Sequence, residues 1–276
     1  MAWATAGVAL AGTVGLSGGA PALAAAARGP RPLPASLAMF AHCPVDVKGV
    51  GACLFSSTTD TTFQIGSTTV TSNSPTTLSL GIISTASGAV TAVLPDDGTM
   101  ALQAPAIPLP GGLTGVSGLD QGPLAVTATP QLVGTPTVNL AGLLNSQGPG
   151  LTMPLDVLVS SSSNALGSDC TIGGADSPIT LNLTTGTTDP PPPNTPISGN
   201  PGTLTSTNKG LLTDSGVTLV DNAFAVPGTE NCGTDGALDE VIDLDKGLPS
   251  AAGSNSAILS GSSYTAPAKL IRRYLR

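Results

Sequence analysis

Leu151-Thr152-Met153-Pro154-Leu155-Asp156-Val157-Leu158-Val159-Ser160 sets Leu151, Met153, Leu155, Val157 and Val159 on one side of an extended chain. Thr152, Pro154, Asp156 and Ser160 fall on the other, and a period of two is the mark of a β-strand with one buried face. Pro154 lacks an N–H, which pushes this strand toward a sheet edge. The alternation recurs at Phe63 and Ile65, at Leu78, Leu80 and Ile82, and at Val90, Ala92 and Leu94. It returns at Leu124, Val126 and Ala128 and at Ile179, Leu181 and Leu183, each run bounded by Gly, Pro, Asn or Asp. Short strands with such punctuation predict an all-β antiparallel sandwich or barrel-like domain with long Gly/Pro-rich loops. One short helix is expected: Thr234 caps a turn through Leu238, Val241, Ile242 and Leu244, with Gly247 past its end and Pro249 beyond.

The composition agrees with a folded, sparsely charged chain. Of 276 residues, 40% are hydrophobic and only 9% charged, with 35 Gly, 25 Pro and a net charge of -8. Ordinary domains carry about 25% charged residues, so Ser, Thr, Asn and backbone groups solvate this surface. The acidic balance leaves nothing to displace counterions from a phosphate backbone, which excludes nucleic acid as a partner. No apolar run of spanning length follows the N-terminal stretch, so no transmembrane helix is expected.

The chain ends differ from its middle. Residues 1–27, rich in Ala, Gly, Val and Leu and ending in Pro21-Ala22-Leu23-Ala24-Ala25-Ala26-Ala27, read as a secretory signal peptide with a small-x-small cleavage pattern. No Lys or Arg precedes Arg28, so the usual basic start of a leader is missing. Residues 28–40 then form a proline-stiffened spacer, residues 41–266 a single β-domain, and residues 267–276 a basic tail with Lys269, Arg272, Arg273 and Arg276. That tail is expected to be frayed, the competing reading being an amphipathic helix that docks on an anionic surface.

Cys43, Cys53, Cys170 and Cys232 are an even set in an exported chain, where disulfides are favoured, and allow three connectivities. The loop from Pro44 to Ala52 suits a Cys43–Cys53 pair, which leaves Cys170 with Cys232. The run Asp189-Pro190-Pro191-Pro192-Pro193-Asn194 then lies inside the second disulfide loop, which argues against a domain boundary there. Zinc is disfavoured because no C-x-x-C occurs and the only histidine is His42.

Catalytic chemistry is poorly supplied. A Ser-His-Asp system needs a base, and His42 is structural or exposed beside Cys43. The one G-x-S-x-G match, Gly15 to Gly19, falls in the leader, outside any strand-turn-helix context. Glu230, Asp235, Asp239, Glu240, Asp243 and Asp245 form the one dense carboxylate cluster, and paired carboxylates suffice for a glycosidase. A solvated helix face is the plainer account of it. Asp243, Asp245 and Gly247 make only a fragment of a calcium loop, so no metal or other cofactor is expected.

Met153-Pro154-Leu155-Asp156-Val157, Leu166 to Gly173, Leu183-Thr184-Thr185-Gly186-Thr187-Thr188, Phe224-Ala225-Val226-Pro227-Gly228 with Cys232-Gly233, and Gly247 to Gly253 form a set of distinctive runs. Together they resemble a group of uncharacterised secreted proteins of actinobacteria. The resemblance spans most of residues 40–262 and implies export and paired cysteines, with no assigned chemistry. The expectation is a secreted, non-catalytic β-domain of the cell envelope or extracellular space with an envelope or extracellular ligand. A secreted hydrolase using the 230–245 carboxylates is the alternative.

Overall fold

A computed structural model describes residues 32–84, 90–96, 98, 100–115, 121–207 and 210–275. The expected leader, including the match at 15–19, lies outside the described residues, as do residues 28–31 of the spacer. In chain order the strands are β1 (Ala52–Ile65), β2 (Thr68–Ser72), β3 (Thr76–Ser84), β4 (Val90–Val93), β5 (Leu102–Gln103), β6 (Ile107–Pro108), β7 (Val126–Leu132) and β8 (Thr137–Val138). They continue with β9 (Leu151–Ser161), β10 (Thr171–Ile172), β11 (Ile179–Leu183), β12 (Thr203–Ser206), β13 (Leu212–Asp221), β14 (Thr229–Glu230) and β15 (Ser256–Pro267).

These strands form two antiparallel sheets packed as a sandwich, without barrel closure. The first runs β12-β13-β15-β1-β3-β4, with β2 on the far end of β1 and β5 on β3. The second runs β14-β10-β9-β7-β6, with β8 and β11 also on β9. The strictly alternating β9 buries Leu151, Met153, Leu155, Val157 and Val159 against Leu78, Leu80, Ile82 and Leu259 of the first sheet. At one corner the sheets join directly, because Thr184 and Val220 exchange N–H···O bonds of 3.0 and 2.9 Å. Next to that bridge the buried Asp221 accepts the Asn182 N–H at 2.6 Å and the Ala223 N–H at 2.9 Å.

Contrary to the edge placement expected from Pro154, β9 is the spine of its sheet, flanked by β7 and β8 on one side and β10 and β11 on the other. In an antiparallel ladder a residue's N and O point the same way. The Pro154 carbonyl accepts from Val133, in the gap after β7 ends at Leu132 and before β8 begins at Thr137. Its missing N–H therefore falls where no strand asks for one.

Among the described residues three α-helices occur where one helix was expected: α1 (Leu140–Asn145), α2 (Asp239–Lys246) and α3 (Ala268–Leu275). The anticipated helix is α2, preceded by a 3-10 turn at Thr234–Gly236 and ended by Gly247 at φ 72°. Nor is the tail frayed over its described residues, 267–275, and the spacer residues 35–40 are not simply a stiff strap. Ala35–Phe40 is a 3-10 helix, and with α3 it covers the outer face of the first sheet. Leu37, Phe40, Val45, Cys53, Ala266 and Ile271 make a second core there, with Ile271 fully buried. The apolar face of α3, which the competing reading set against an anionic surface, is thus occupied by this core, and Arg272 turns inward to donate to the Val45 carbonyl through Nε at 2.9 Å. Gly81 is needed beneath this layer, since a Cβ there would stand 2.7 Å from the Pro44 ring.

Both disulfides pair as expected, Cys43 with Cys53 and Cys170 with Cys232, at Cα separations of 5.7 and 4.2 Å. The first ties the second core to β1, and the second ties β10 to the segment leading into α2. The proline run from 190 to 193 lies against the loops that end the sandwich: the Asn194 N–H donates to Gly253 at 3.0 Å, and Asn194 Nδ2 donates to the Asn222 and Asn255 carbonyls.

Candidate functional site

The six clustered carboxylates do not converge on a cleft among the described residues. Asp239 Oδ1 accepts the Cys232 N–H at 2.8 Å, and Asp243 Oδ1 accepts the Thr229 N–H at 2.8 Å and its hydroxyl at 3.0 Å. These bonds fasten α2 to β14 and to the disulfide. Asp245 pairs with Lys246 at 2.8 Å, and Glu230, Asp235 and Glu240 are exposed. His42 is exposed as well. None of these residues lines either of the two cavities described below.

The more informative feature is a cavity of about 240 Å³ between the sheets. Its floor is the inner face of the first sheet: Leu54 and Ser56 of β1, Leu78 and Ile82 of β3, Leu212, Asp214, Val217 and Leu219 of β13, and Leu259, Ser263 and Thr265 of β15. Its roof is Val138 of β8, Leu151 of β9 and Leu140, Leu143 and Leu144 of α1. The gap exists because the first sheet extends through β13 and β12 beyond the reach of β9. Among the described residues the six-residue α1 overhangs it there, beside Val138 and Leu151.

Local chemistry fixes α1 over this gap. Asn139 caps it, its side-chain oxygen accepting the N–H groups of Ala141 and Gly142 at 3.1 and 3.4 Å. The buried Thr185 hydroxyl meets the Gly142 and Leu143 carbonyls, both at 3.0 Å, anchoring the other end of the helix to the second sheet. At the cavity rim Leu140, Leu144, Leu204 and Leu212 are 48, 44, 52 and 37% exposed. Scattered single leucines on a surface mean little, but a cluster around an opening is the pattern of an unfilled binding face.

Among the described residues one ionisable side chain lines this cavity, Asp214. It is 7% exposed, and its Oδ1 has no hydrogen-bond partner. Burial raises its pKa above the ordinary aspartate value. Asp214 faces inward because a bulge between Ser215 and Val217 lets it share one face with Val217 and Leu219. Register then sets Leu204, Asp214, Ser263 and Ser56 in one row across β12, β13, β15 and β1. Gly202 leaves room for the carboxylate, since a Cβ there would stand 2.7 Å from Oδ1.

A second cavity of about 50 Å³, lined by apolar residues such as Phe63, Leu155, Leu181 and Phe224, is a packing gap. Among the described residues no three His, Cys, Asp or Glu side chains are placed to hold a metal ion. No helix of the described residues is long and apolar enough to cross a membrane. Comparison of the chain with family models, with curated proteins and with solved structures finds no match.

Proposed function

We propose that the chain is an exported, non-catalytic β-sandwich that binds a small apolar molecule in the cavity between its sheets, at the cell envelope or in the extracellular space. The cavity with its rim of exposed leucines carries this reading. Largely apolar pockets with few polar groups are how proteins hold small ligands. The paired cysteines and the leader-like residues 1–27 support export. The hydrolase alternative lacks a supporting arrangement, since Asp239 and Asp243 spend their Oδ1 atoms on backbone N–H groups and Glu230 and Glu240 face solvent.

Naphthalene tests the reading, because its size suits the cavity. Isothermal titration is expected to find one site per chain, abolished by Leu219→Phe, which fills the floor. Binding that survives this change, or no binding to the parent chain, refutes the cavity as the site. Turnover of ester or glycoside substrates that disappears when Glu230, Glu240 and Asp243 are replaced together by their amides would restore the hydrolase.

A further inference from the structure

We propose that the cavity selects a small apolar amine, with its hydrocarbon part between the sheets and its ammonium group against the Asp214 carboxylate. This rests on the cavity reading above and specifies the head group that the ligand carries.

A buried carboxylate without a partner is costly, and such groups persist where something completes them. Asp214 Oδ1 has no partner, and among the described residues no Lys, Arg or His lines the cavity to neutralise it. The raised pKa points the same way, since it reflects desolvation with nothing to offset it. A ligand ammonium supplies both a donor and a countercharge, so it gains more here than a hydroxyl does. A ligand carboxylate would instead set a like charge against Asp214. The chain's net charge of -8 also favours the approach of a cation over that of an anion.

Size narrows the class. An apolar cavity of about 150 Å³ takes benzene, so one of this volume encloses roughly ten non-hydrogen atoms. Ser56 and Ser263 lie in one row with Asp214, which sets hydroxyls beside the carboxylate, while Thr58, Ser84, Ser262 and Thr265 also line a cavity whose surface is mostly apolar. That geometry fits a ligand with one polar end.

Octylamine, 1-octanol and octanoate share a chain length and differ in the head group alone. Titrated into the folded full-length chain near neutral pH, octylamine is expected to bind at least about tenfold more tightly than either of the others. In Asp214→Asn the amine's advantage is expected to shrink to within about threefold, while Leu219→Phe weakens all three together. Circular dichroism on each variant confirms that it has folded. An amine that binds no better than the alcohol, or whose advantage survives in Asp214→Asn, overturns the head-group assignment. If naphthalene and octanol still bind in that case, the cavity reading stands. If no compound binds, both fail.

Discussion

Asp214, Asp221 and Asp156 are the described groups on which burial acts most visibly, since desolvation raises the pKa of each. Asp221 is partly compensated by the N–H groups of Asn182 and Ala223, while Asp156 and Asp214 each keep an oxygen with no partner. All three protonate more readily in the folded than in the unfolded chain. Their favourable contribution is therefore complete below the ordinary aspartate value of 3.8 and is lost as pH rises through the raised folded values. The thermal midpoint should climb as pH is lowered from neutrality toward that value, and a midpoint that falls steadily over this range contradicts the assignment. Asp214→Asn should raise the midpoint at neutral pH, with the gain fading on acidification. Asn255 is the opposite kind of buried polar residue, fully satisfied: it accepts from the Gly66 N–H and donates to the Phe224, Ser250 and Ala251 carbonyls. Asn255→Leu keeps the volume and strands those groups, so urea unfolding should show a loss on the order of 3 kcal/mol.

At the scale of elements, legibility in the sequence followed the regularity of the pattern. β3, β9 and β11 alternate without interruption and were readable as strands. β13 was not, because the bulge at Gly216 breaks its period in Leu212-Thr213-Asp214-Ser215-Gly216-Val217-Thr218-Leu219. β15 was hidden by its run of Ser and Thr, whose pairing with β1 and β13 is visible only once all three strands lie together. The cavity floor is built largely from these strands, which is why the carboxylate cluster at 230–245 drew attention in the sequence and Asp214 did not. The tail misled for a related reason. Its charges are spaced as a solvated helix would have them, but Ala268 and Ile271 find a core that only the folded N-terminal segment provides. Ile271→Ala should cost about 2–5 kcal/mol by chemical denaturation, whereas an unchanged midpoint would mean that α3 is not docked.

For the whole molecule, the two cores depend on the two disulfides in different ways. Cys43–Cys53 closes a short loop beside the second core, where Arg272 and the Val45 carbonyl hold the same segment by hydrogen bonds. Cys170–Cys232 instead spans 62 residues, a stretch that contains β11, β12, β13 and the proline crossover. That stretch carries both the joint between the sheets at Thr184 and Val220 and the Asp214 wall of the cavity. In the chain-entropy account a longer closed loop removes more freedom from the unfolded state, so the second bond should contribute more, on the order of 4 kcal/mol. Replacing Cys170 and Cys232 by Ala should therefore lower stability more than replacing Cys43 and Cys53, as read from urea midpoints under non-reducing conditions. Ligand should recover part of the loss, because a molecule that binds only the folded chain stabilises it in proportion to the logarithm of its concentration over Kd. Equal losses for the two pairs would show that the hydrogen-bonded joint at Thr184 and Val220, and not the covalent loop, holds the cavity wall in place.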